Sequence, residues 1–144
     1  MSRQRRWTEA ELAQLQGAPG RSQKTLGEVE RAFAKAQRTK LEDLLAHQLS
    51  LLNLMPLFER EARFHAERKW RLDFLASTVG LGIEVHGGTF AGGRHTRGAG
   101  FAADREKINA AIEAGIAVLE YDAAMVKSGE AALQVEQVIK KRVG

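Results

Sequence analysis

The chain has 144 residues, 28% of them charged and 44% hydrophobic, with a formal net charge of +4. That length suits one core of ordinary size rather than two, and the lack of cysteine excludes disulfides, thiolate-bound zinc and cysteine nucleophiles. No apolar run approaches the roughly 20 residues that span a bilayer and no apolar leader core is visible, so a soluble, cytoplasmic protein with no membrane partner is expected.

The first forty residues carry nine Lys/Arg against four Glu, a net of +5, which leaves the other 104 near −1. A basic arm on a nearly neutral body suits a polyanion, because Lys/Arg contacts to phosphates release counterions; Arg5 and Arg6 are candidate contacts. The bland alternative is a solvated terminus. Within this arm, Thr8 and Glu11 have capping-box spacing, with Leu12 and Leu15 following, so a short helix over about Thr8 to Gln16 is predicted. The run Gly17-Ala-Pro-Gly20 ends it. A second amphipathic segment starts near Thr25, with Val29, Ala32, Phe33 and Ala36 at helical spacing, before the polar stretch Gln37 to Lys40.

Leu41, Leu44, Leu45, Leu49 and Leu52 predict an amphipathic helix ending before Pro56, with Glu42 and Asp43 off its apolar stripe. Three strand-like runs follow, Ala62 to His65, Trp70 to Ala76 and Leu81 to Val85, with short connections that suit an antiparallel meander. A glycine-rich loop, Gly87 to Gly100, leads to a helix over about Ala102 to Ala114, stopped by Gly115. The apolar run Ile116 to Leu119 and a last helix, about Glu130 to Lys141, complete an order of helix, three strands, helix, strand, helix. The expected division is a helical extension over 1–39 and an α/β domain over 40–144.

Strand alternation assigns Trp70, Leu72 and Phe74 to one face and Arg71 and Asp73 to the other. It likewise turns Leu81, Ile83 and Val85 inward, with Glu84 and His86 opposite. Asp73, Glu84 and His86 then converge if the strands are neighbours. Two carboxylates beside a basic group are what a hard divalent cation requires at a phosphate ester, with the Val85 carbonyl as a further oxygen. Exposed strand carboxylates are usually only solvated. Here, however, poor strand formers interrupt strongly apolar runs.

Helix Glu42, strand Asp73 and strand Glu84-Val85-His86 resemble the PD-(D/E)XK, or restriction-endonuclease-like, nucleases. Arg68-Lys-Trp-Arg-Leu-Asp-Phe, Glu84-Val-His-Gly-Gly, Gly93-Arg-His-Thr-Arg-Gly-Ala-Gly-Phe and Asp104-Arg-Glu-Lys-Ile-Asn are similar to phage and bacterial endonucleases related to very-short-patch repair nucleases. The resemblance covers about Lys40 to Lys140. It implies a mixed central sheet flanked by helices and Mg²⁺, replaceable by Mn²⁺, bound by Glu42, Asp73, Glu84 and Val85. It also implies hydrolysis of DNA phosphodiesters, in a phage or DNA-repair setting, with a homodimer if both strands are cut. His86 stands where these nucleases usually carry Lys, so either His86 or Lys107 supplies the missing base or cation.

The loop places Arg94, His95 and Arg97 among six glycines, and no Gly-Lys-Ser/Thr follows, which speaks against a nucleotide loop. Arg94 and Arg97 are expected to grip phosphates together with Lys69 and Arg71, and His95 to assist at the leaving group. His47 reads as a helix-surface residue and His65 as a strand-end residue. Two other readings stand beside the nuclease: a non-catalytic DNA-binding protein, and a nuclease using His86 and His95 on a transition metal.

Overall fold

The computed structural model describes residues 8–10, 25–87 and 99–144. The chain divides into two compact units, Met1–Arg31 and Ala32–Gly144. In the first, Thr25 caps the start of helix α1 (Leu26–Leu51). The Thr25 backbone N–H donates to Glu28 Oε2 at 2.6 Å and the Glu28 N–H donates back to Thr25 Oγ1 at 3.3 Å. This reciprocal pair satisfies two donors that a helix start leaves open. Of the helix expected over Thr8 to Gln16, Thr8, Glu9 and Ala10 are described, the last two as helix; residues 11–16, with Arg5 and Arg6, lie outside the described residues.

In the second unit, α1 runs unbroken through Gln37–Lys40, where a separation of two helices was expected. Three of these four residues are good helix formers, none is Gly or Pro, and the Thr39 hydroxyl donates to the Lys35 carbonyl at 3.0 Å. The helix then buries Leu41, Leu45 and Leu49. It ends when Asn53 adopts a left-handed φ of 58°, with Leu54 N–H donating to the Leu49 carbonyl and Asn53 N–H to that of Ser50. That double closure is a Schellman motif.

The sheet contains β1 (Glu59–Arg63), β2 (Arg71–Ala76), β3 (Leu81–His86) and β4 (Ala117–Asp122), in that spatial order. The first three form the expected antiparallel meander, while β4 lies parallel to β3 after helix α2 (Ala99–Glu113). A short helix α3 (Ala123–Ser128), absent from the sequence reading, precedes α4 (Glu130–Val143). Its start is set by Asp122, whose Oδ1 accepts the Met125 N–H at 2.9 Å.

The main core joins α1, α3 and α4 to one face of the sheet through Leu45, Leu49, Phe74, Ile83, Val85, Val126 and Val135. Glu84 and Glu120 alternate with these inward residues and face the other way, where Lys107 and Arg105 of α2 meet them. The result is a four-stranded mixed sheet flanked by helices on both faces. No described helix is long and apolar enough to cross a membrane.

One expectation about this sheet fails. Phe74 belongs to the main core, but Leu72 packs with Ala62 and Leu75 in a separate cluster. A Cβ on Gly82, on the face opposite Ile83, would come within 2.7 Å of Leu72 Cδ1. Leu72 and Phe74 therefore occupy opposite faces. Trp70 precedes the strand and stacks on Phe64 instead, at 6.4 Å and 15°. Alternation breaks at Asp73, and β1 breaks at the matching position, where Glu61 has φ 50°.

Candidate metal centre

The break in alternation brings acidic groups from different layers together. Arg60 pairs with Phe74 and Ala62 with Leu72, so Glu61 stands opposite Asp73. Phe74 pairs with Ile83, and the same register carried one step further puts Asp73 beside Glu84, which itself pairs with Glu120. A row of four carboxylates thus crosses all four strands. Like charges directly opposite one another destabilise a sheet unless cations accompany them.

Asp73 sits where β2 and β3 part. Their pairing covers Phe74, Leu75 and Ala76, and beyond it Asp73 Oδ2 accepts the Val85 backbone N–H at 2.8 Å. The expected contact of Val85 with the site is thus made by its amide toward Asp73. The end of β3 is held close to α1 by Gly87, where a Cβ would meet Leu41 Cδ1 at 3.0 Å and Arg38 Cα at 3.4 Å. This approach sets Glu42 over the gap between the strands. Glu42, expected off the apolar stripe, is buried beside Leu41, and only 4% of Glu42, 6% of Asp73 and 8% of Glu84 is exposed.

Two buried carboxylates, Glu42 and Asp73, meet an exposed third, Glu61. One oxygen each from Glu42, Glu61 and Asp73 lie within 4.8 Å of one another, a set that can hold a metal ion. Glu42 Oε1 is buried without a hydrogen-bond donor, although Arg38 Nε ion-pairs with it at 3.4 Å. Arg60 reaches Glu42 Oε2 at 3.7 Å and Asp43 at 2.8 Å. Burial, then the charges of Asp73 and Glu61, push the Glu42 carboxyl up to about 7 against the pull of Arg38. Glu84 is also raised to about 7, first by burial and then by Asp73, with Lys107 opposing.

The two candidates His86 and Lys107 meet different carboxylates. Lys107 Nζ ion-pairs with Glu84 Oε1, whereas His86 Nε2 lies 3.1 Å from Glu120 Oε1. His86 lines a cavity of about 380 Å³ with Asp104, Arg105, Glu120 and Asp122. Lys69 and Arg71 are exposed near the β1–β2 connection. There the Arg68 guanidinium lies 4.3 Å from the Trp70 ring centroid. His65 Nδ1 accepts the backbone N–H groups of Glu67 and Arg68, which makes it a turn-closing residue, and His47 is exposed on α1. Arg94, His95 and Arg97 lie outside the described residues.

Sequence reasoning missed Glu61. In the charged run Glu59-Arg-Glu-Ala-Arg it looks like any solvated strand residue, and only the pairing register and its left-handed φ single it out. Comparison of the chain with protein-family models, curated proteins and solved structures found no match.

Proposed function

We propose that this protein is a metal-dependent endodeoxyribonuclease with a restriction-endonuclease-like core. The observation that carries this reading is the meeting of Glu42, Glu61, Asp73 and Glu84 from a helix and three strands, with Lys107 ion-paired to one of them. The donor set is all oxygen and holds a buried acceptor with no hydrogen-bond donor, which fits Mg²⁺ or Mn²⁺ far better than a soft metal. Such an ion would supply Lewis-acid charge at a phosphate ester.

The chain's own residues account for the other requirements. Asp73 is oriented by the Val85 amide, so its carboxylate keeps one direction. Lys107, held by Glu84, offers an ammonium to the charge that grows on phosphate oxygens as water adds to phosphorus and the ester P–O bond breaks. The water's proton is lost to solvent or a nearby base, and the leaving alkoxide takes one up. Lys69 and Arg71, beside the stacked Arg68–Trp70 pair, suit backbone phosphates. Arg94 and Arg97 are proposed to join them.

The test is a supercoiled-plasmid nicking assay with Mg²⁺ or Mn²⁺, with an EDTA control and Asp73→Ala in parallel. Cleavage that needs both the metal and Asp73 is expected. DNA binding without any metal-dependent cleavage by the wild type would remove the enzyme reading and leave the DNA-binding one.

A further inference from the structure

We infer that the divalent cation is held by Glu42, Glu61 and Asp73, one strand away from the Asp73/Glu84 pair, and that Glu84 positions Lys107 instead of ligating metal. This rests on the metal-dependent reading above but concerns which residues bind. The first observation is where charge is already neutralised. Glu84 has Lys107, and Glu120 has His86 with Arg105 at 4.0 Å. Among the described residues, no cation ion-pairs with Glu61 or Asp73. The unmet negative charge therefore sits on the β1–β2 side of the row.

A second observation points the same way. Glu42 approaches from α1 with its side chain only 5% exposed, and its Oε1 receives no hydrogen bond, although Arg38 Nε ion-pairs with it at 3.4 Å and Arg60 reaches Oε2 at 3.7 Å. A buried acceptor left in this condition costs stability. A cation shared with Glu61 and Asp73 satisfies it. Glu84 shares in no such three-carboxylate grouping among the described residues. An ion between Asp73 and Glu84 would have to compete with the Lys107 ammonium.

The backbone of Glu61 explains how a β1 carboxylate reaches this position. Its φ of 50° is one that L residues seldom take, and it coincides with the point where both strands switch faces. Glycine would take that φ without strain. Glu61→Gly is therefore expected to fold at least as well as the wild type while lacking the carboxylate.

Calorimetric titration of the full chain with Mn²⁺, without DNA, tests the assignment. Glu61→Gln and Glu61→Gly should each raise the Kd by about tenfold or more, with thermal melting unchanged or higher for the glycine variant. Glu84→Gln should shift the Kd by less than about threefold, because it removes only the partner of Lys107. An equal or larger loss for Glu84→Gln than for Glu61→Gln overturns the assignment, as does wild-type affinity in both Glu61 variants or no Mn²⁺ binding by the wild type. Glu61-dependent Mn²⁺ binding by a protein that cleaves no DNA would leave the assignment standing and remove the nuclease reading.

Discussion

The two halves of the carboxylate row make an instructive pair. On the β3–β4 half, helix α2 delivers Lys107 to Glu84 and Arg105 to Glu120, and His86 joins them from β3. On the β1–β2 half, helix α1 delivers another carboxylate, Glu42, and the accompanying Arg38 and Arg60 lie at 3.4 and 3.7 Å from it. Carboxylates thus end fully ion-paired on one side, while on the other Glu42 has cationic partners and, among the described residues, Glu61 and Asp73 have none. What differs is which carboxylates have a cation beside them, and Glu61 and Asp73 are the ones left to attract one.

The largest break in this comparison should come from Asp73, the residue shared by both halves. Asp73→Ala is expected to lower metal-dependent nicking by at least about 10³-fold, equivalent to ~4 kcal/mol of transition-state stabilisation. Steady-state nicking rates check this, and retention of a tenth of the activity would contradict it.

Stability in EDTA should report the strain of both halves together. Glu42 and Glu84 hold protons up to about 7 in the fold, against a reference of 4.5. Between those values the folded state binds more protons than the unfolded chain, so stability falls as pH rises and the penalty is complete above about 7. For the two groups together, a loss on the order of 5 kcal/mol is expected between pH 5 and pH 8. Urea denaturation measures it. Mg²⁺ at pH 8 should restore much of the loss, and the Glu42→Gln/Glu84→Gln double variant should flatten the dependence. A wild-type stability that is level or rises over that interval contradicts the prediction.

Lys107→Met should separate the halves. Its loss is expected to cost about 10²-fold in cleavage, the scale of removing one charge-stabilising donor, while Mn²⁺ affinity holds or improves. A parallel loss of metal binding would show that the two halves act as one site.

The smallest effect is assigned to His86. Its partner Glu120 is about one-third exposed, and such pairs contribute little. His86→Ala should therefore leave nicking within about threefold of the wild type. A drop as large as that of Lys107→Met would restore His86 to the chemistry.

Much of this was legible in the sequence by local rules. Helical spacing of Leu41, Leu45 and Leu49, the second and third strand-like runs and the Gly115 stop act over a few residues, and the observed elements follow them, whereas β1 forms over Glu59–Arg63 instead of the expected Ala62 to His65. Asp73 and Glu84 stood out because carboxylates seldom interrupt apolar strands. The short helix α3 went unseen because its stop and the next helix's start share Gly129.

The sequence by itself thus determined the order of elements apart from α3, and the two carboxylates worth watching. Tertiary structure decided the rest, because electrostatic partnership depends on distance through space. Burial of Glu42 followed from the approach of β3 to α1 at Gly87. The recruitment of Glu61 followed from register and a left-handed φ. The pairing of Lys107 with Glu84 spans 23 residues of chain, a separation over which no local pattern constrains two side chains to meet.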